Sequence, residues 1–399
     1  MKKSMIVAAM LAMVATGANA KSATDSATIA KNKPVFTVVK QNPITSIKDQ
    51  NRSGTCWAYS TLSYFESEIL KHTGKTYDLS EMFVANKTYM DRATMAVRMH
   101  GDVSFSQGGS AYDVLYALQH YGIVPEGAMP APGTLTGDSL ANFGEFFDVM
   151  TPYVEAVAKS NAKKISSAWK SGLQGIIDSY IGKTPEKFTY QGKQYTPQSF
   201  CQSLGLNLDD YVTITSYTHH PMWSKFAVEV QDNWRWPLSY NVPMDDLCKI
   251  IDNAINNGYT VAWGGDVTED GFTRKGLGIA YDVKKVRSMA GTDADHWFKL
   301  SKDEKKEKFD SLGVNAPEVV PTQAMRQEAF DNWETTDDHG MHIYGIAKDQ
   351  NGKEYYMVKN SWGEYGDYKG TWYMTKAFVA YKTMDFMVCL LYTSPSPRD

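Results

Sequence analysis

From Cys56 onward, Ala58, Leu62, Phe65 and Ile69 recur at the i, i+4, i+7, i+11 spacing of one buried helix face, and Gly74 after Lys71-His72-Thr73 supplies a stop. Residues 80–122 carry more helical pattern, including "SAYDVLYALQHYG", which ends on Gly122 with Pro125 beyond it. Between 126 and 240 the pattern changes. "APGTLTGDSLANFGEFFDVM" opens a mostly helical stretch that passes into aromatic, loop-rich sequence around "YTHHPMWSKF". "MDDLCKIIDNAINNG" is an amphipathic helix with a glycine stop, and it feeds the strand signal "YTVAWGGDV". From about residue 335, "MHIYGIAKD", "EYYMVKNSW" and "GTWYMTKAFV" read as strands, with Asn351-Gly352 as the hairpin turn between the first two. A shorter strand signal, "PVFTVV", lies near the start. The pattern therefore predicts an α+β chain, helical first and β-rich last. The segments expected are 21–125 for the helical lobe, 126–240 for an insertion or accessory region, and 241–388 for the β-rich lobe.

Both ends are expected to stand apart from the fold. Lys2 and Lys3, the apolar run "MIVAAMLAMVA" and the small residues of Ala18-Asn19-Ala20 read as a bacterial secretory signal over residues 1–20, which implies a periplasmic or secreted protein. At the other end, "CLLYTSPSPRD" over 389–399 has no strand or helix periodicity. It matches one reading frame of a common sequencing adapter, so these residues are expected to be foreign and the genuine chain to be cut near Val388.

Composition narrows the function classes. The 399 residues are 43% hydrophobic, enough for a large core, and the net charge of −4 offers no basic face for nucleic acid. No later segment is apolar for long enough to span a membrane. Setting Cys389 aside leaves Cys56, Cys201 and Cys248, an odd number for an oxidising compartment, so at least one free thiol is expected. Cys201 and Cys248 can pair, although such cysteines are more often simply buried. No Cys/His spacing reads as a zinc site, and no metal or cofactor is expected.

Cys56 begins its helix behind the loop Ser53-Gly54-Thr55. A thiol there gains from the amides of the first turn, which favour a thiolate and can bind an oxyanion. Gln50 offers a second oxyanion donor. "DDHGMHIYG" offers His339 and His342 as a base, and "VKNSWGEYG" offers Asn360 to fix the imidazole tautomer, with Trp362 to roof that bond. Each feature alone is usually packing. Gln-x5-Cys-Trp, then Asp-His-Gly, then Asn-Ser-Trp-Gly, in that order, is specific.

The sequence resembles the papain superfamily of cysteine peptidases on "DQNRSGTCWAYS" and "KNSWGEYG". It resembles the bleomycin hydrolase/aminopeptidase C branch on "LSEMFVANKTYMDR", "QGGSAYDVLYALQHYGIVPEGAMP" and "MDDLCKIIDNAINNGYTVAWGGDV". The resemblance implies a papain-like two-lobed α+β fold, with a helical lobe carrying the nucleophile helix, a β-barrel-like lobe and a helical insertion. It implies Cys56 as nucleophile and Asn360 as the residue that orients the base. His339 is favoured over His342 because Gly340 follows it and Gly345 lies six positions on, as in that superfamily. It further implies Gln50 and the Cys56 amide at the oxyanion, Gly108 and Gly109 (with Trp362) at the substrate, peptide substrates, and a homo-oligomer, possibly a hexamer. Tyr59 stands where the family usually has phenylalanine. That branch places its own C-terminal carboxylate in the cleft, a segment expected to be absent from this chain. An endopeptidase with an open cleft, a silent peptide-binding relative and an acyl transferase remain as alternatives.

Overall fold

The computed structural model describes residues 33–132, 140–289 and 299–390. The signal expected at 1–20 and residues 391–399 of the expected foreign tail lie outside these residues.

In the first half, strand β1 (Thr37–Gln41) precedes helices α1 (Cys56–Thr73), α2 (Glu81–Arg98), α3 (Ala111–His120), α4 (Gly144–Ala158), α5 (Ala168–Tyr180) and α6 (Pro197–Ser203), with a small hairpin of β2 (Phe188–Tyr190) and β3 (Lys193–Tyr195) before α6. The start and stop chemistry follows the sequence. Gly74 closes α1 at φ +69° with its N–H on Leu70 O, Ser80 caps α2 through Phe83 N, and Ser110 with Asp113 forms a capping box on α3. Phe143, Phe146 and Leu173 share one buried cluster with Trp57, Leu62 and Met82, so residues 140–206 pack into the same core as α1 and α2.

The second half supplies β4 (Tyr211–Thr215), β5 (Lys225–Phe226), β6 (Ser239–Asn241), α7 (Met244–Asn256), β7 (Val261–Gly265), β8 (Phe272–Thr273), β9 (Leu277–Gly278), α8 (Val283–Met289), α9 (Lys302–Leu312), α10 (Gln323–Asp331), β10 (His339–Lys348), β11 (Glu354–Lys359), β12 (Thr371–Thr375), α11 (Lys376–Lys382) and β13 (Thr383–Cys389). One sheet runs β5-β6-β4-β13-β7-β10-β11-β12-β9-β8, with β1 also on β10. Among the described residues its ends do not meet, so the expected barrel-like lobe is an open, mixed sheet. "GTWYMTKAFV" is a strand only as far as Thr375. Thr375 Oγ1 then accepts Phe378 N and starts α11. Cys389 is buried and pairs with Tyr211 at the end of β13.

Helix α1 runs between the helical cluster and the sheet. Every residue from Trp57 to Ile69 is buried, polar ones included, rather than the single face its apolar spacing predicts. Gly340 of β10 makes this contact close. A Cβ there would lie 2.7 Å from Ser60 Oγ and 3.3 Å from Cys56 O. The start of α1 and the start of β10 are thereby placed side by side.

Candidate active site

Cys56 is the first residue of α1, and its loop is fixed from three directions. Gly54 N donates to Gln107 Oε1 (2.7 Å), Trp57 Nε1 to Gln107 O (3.0 Å), and Gln50 Nε2 to Ser53 O (2.7 Å). Gln50 also accepts Ser361 Oγ (2.7 Å) and donates its backbone N–H to Ser361 O (2.8 Å), which ties the loop to the segment after β11.

His339 opens β10, three residues beyond the first β10–β11 pair, His342 with Lys359. The next residue on the β11 side is Asn360, and the hydrogen bond from His339 Nε2 to Asn360 Oδ1 is 2.8 Å. Ser361 N donates to the same oxygen (2.8 Å), so Oδ1 is an acceptor, Nε2 carries the proton and Nδ1 has the lone pair. Trp362 packs on the His339 ring at 5.0 Å between centroids and does not line the cavity beside Cys56. His342 lies on the opposite side of the strand, fully buried, with Nδ1 on Ser63 Oγ (2.9 Å).

That cavity, of about 180 Å³, brings together Cys56, His339, Gly108 and Gly109. Neither glycine has room for a side chain. A Cβ on Gly108 would overlap the Asp232 carboxylate, and one on Gly109 would lie 2.9 Å from the Trp57 ring. The Gly108 carbonyl accepts from the buried Arg92 Nη1 (2.6 Å), which also reaches Asp232 Oδ1 (3.1 Å), and Arg92 Nη2 donates to Gln231 O (3.3 Å). Arg92 thus holds the segment Val228–Asn233 across one side of the cavity.

The cavity is thus lined by a thiol and by an imidazole bonded to an asparagine side chain. The profile of the Peptidase C1-like family matches residues 2–312. The chain belongs to this family. Among relatives, aminopeptidase G of Lactobacillus delbrueckii subsp. lactis is 24% identical over 370 residues, spanning 84% of this chain and 78% of the relative. Aminopeptidase C of Lactobacillus helveticus is 24% identical over 389 residues, spanning 86% and 80%. The crystal structure of PepW from Lactobacillus rhamnosis HN001 superposes with a TM-score of 0.68 at 20% identity, covering 92% of this chain and 85% of that one, which establishes the papain-like fold.

In this cysteine peptidase the electrostatics differ from the sequence expectation. The helix N-terminus and the backbone amides of Gly340 and Trp57 favour a Cys56 thiolate, but burial pushes the thiol up to about 12, with Asp337 and Asp232 adding to the effect. Burial also brings His339 down to about 4, against the opposing hydrogen bond to Asn360. Burial thus opposes the charged form of each group, thiolate and imidazolium alike. Sequence reasoning passed over Arg92, Gln107, Asp232, Asp337 and Asp385. Arg92, Gln107 and Asp337 lay inside the motifs "YMDR", "QGG" and "DDHG" without being singled out, whereas Asp232 and Asp385 left no trace. Cys56, Cys201 and Cys248 are free thiols, with Cys201 and Cys248 in different parts of the core. Among the described residues, His219, His220 and Glu229 are the one group whose ligand atoms could share a metal ion. They lie within 4.8 Å of one another, and Glu229 already accepts from both rings at 2.9 Å.

Proposed function

We propose that the protein is a thiol aminopeptidase of the aminopeptidase C/bleomycin hydrolase type, with Cys56 as nucleophile and His339 as base. The carrying observation is the His339–Asn360 bond, which leaves Nδ1 as the basic atom in the cavity that Cys56 lines. Sγ passes its proton to Nδ1 and attacks the peptide carbonyl carbon. The oxyanion is received by the Cys56 N–H and by the Gln50 amide hydrogen that Ser53 does not take. Nδ1 then gives its proton to the leaving amine, and water resolves the thioester by the same path in reverse. Asn360 orients the ring and takes no proton. The segment Val228–Asn233 supports an exopeptidase over an open-cleft endopeptidase, because it walls one side of the cavity.

The test is hydrolysis of an aminoacyl fluorogenic amide by wild type and Cys56→Ala. A loss of about 10³-fold or more is expected, as for other missing nucleophiles. Near-normal turnover in Cys56→Ala would sink the assignment.

A further inference from the structure

The cavity beside Cys56 is lined by carboxylates for which the acyl-transfer chemistry has no use. Asp232 comes from the segment across the cavity, Asp337 lies two residues before His339, and Asp385 sits on β13. Asp232 is matched by Arg92. The Asp337 and Asp385 carboxylates make no hydrogen bond and no ion pair among the described residues. The walls around them include Val228, Trp263 and Met384. Two unmatched carboxylates facing a partly enclosed, apolar-walled space are costly unless something positive joins them. Burial holds both carboxyls above their usual range, Asp385 at about 7, and Asp232, Asp385 and Asp338 further oppose the Asp337 charge, which Arg92 relieves in part.

We propose that Asp337 and Asp385 bind a positively charged group of the substrate, an alkylammonium or a guanidinium, in the cavity that opens on Cys56. The α-ammonium of a peptide and a basic side chain share this chemistry. At about 180 Å³ the cavity is smaller than the ~300–1,000 Å³ of a typical ligand pocket, so it takes one residue rather than a length of chain. An N-terminal residue whose ammonium meets these carboxylates would stop there, with Val228–Asn233 blocking further entry. Recognition of the free amine would then be built from side chains inside the fold. The catalytic meaning of this subsite rests on the Cys56 assignment, but binding requires only the cavity.

The experiment uses full-length Cys56→Ala protein and calorimetric titration with three small amides at neutral pH. Leucinamide carries only an α-ammonium, acetyl-argininamide only a side-chain cation, and acetyl-leucinamide neither. At least one cationic amide is expected to bind tenfold or more tighter than acetyl-leucinamide. Whichever amide binds tighter identifies the source of the charge. In an Asp337→Asn/Asp385→Asn background that preference should fall below threefold, and Asp385→Asn alone should reduce it if the double variant does not fold. Equal binding of all three amides overturns the proposal, as does a preference that survives loss of the carboxylates. Hydrolysis that persists in Cys56→Ala would sink the nucleophile assignment and leave the subsite standing. Equal binding with hydrolysis abolished would sink the subsite alone.

Discussion

His339 and His342 lie three positions apart on one strand and face different surroundings. His339 meets Asn360 and the cavity, whereas His342 meets Ser63 and shares its buried surroundings with Lys359. Their substitutions should therefore separate function from stability. His339→Ala is expected to abolish turnover with little change in melting temperature. His342→Gln should keep turnover and lose about 1–2 kcal/mol of stability, because it disturbs a buried polar contact. The reverse pattern in paired activity and unfolding measurements would refute both roles. Cys56 yields a second prediction. A thiol held near 12 is mostly protonated at neutral pH, so the rate of its alkylation by iodoacetamide should still be climbing at pH 9. A rate that is flat from pH 5 upward would reveal a resting thiolate–imidazolium pair instead.

At the scale of elements, the site depends on how closely α1 and β10 approach. Gly340 is the contact point, and no side chain fits between it and Ser60. Gly340→Ala is expected to cost about 1–3 kcal/mol, as overpacked sites do, and to lower turnover by moving His339 away from Cys56. Urea unfolding and turnover of the same sample check both parts, and an active, fully stable variant would show that the contact is not tight. The register of β10 matters in the same way. Residues 339–343 pair with β7 and residues 345–348 with β1, while pairing with β11 begins only at His342. That late start leaves His339 free to meet Asn360, the first residue past β11.

At the scale of the whole molecule, burial of acids sets the pH response. Burial raises Glu68 to about 8 and Asp385 to about 7. Between pH 6.5 and 8 the folded chain holds a proton on Glu68, and in the lower part of that window on Asp385, that the unfolded chain has already released. The folded state then binds more protons, so stability falls as pH rises, by up to ~1.4 kcal/mol per pH unit for each group. His339, lowered to about 4, and His342, also lowered by burial, oppose this trend only near pH 6.5, where the unfolded imidazoles still hold part of a proton, and fade by about pH 7.5. Thermal melts at pH 7 and 8 should show the fall, and Glu68→Gln should lessen it, leaving the part due to Glu81, which burial also raises to about 8. A melting temperature that rises over this window would contradict the assignment.

The sequence by itself determined the local elements and the chemical alphabet of the site. Apolar periodicity and capping residues marked α1, α3 and α7, Asn351-Gly352 marked the β10–β11 hairpin, and ordered motifs singled out Cys56, His339 and Asn360, because each signal lies within a few consecutive residues. Only the tertiary structure decided what comes together from far apart. The sheet stays open because β4, β5 and β6, drawn from residues 211–241, extend it beside β13. α1 is buried on all sides because helices and sheet close on it together. Asp232, Asp337 and Asp385 meet in one cavity although nothing in their local sequence links them, since charge proximity, desolvation and the balance between thiol and thiolate are properties of space, not of spacing along the chain.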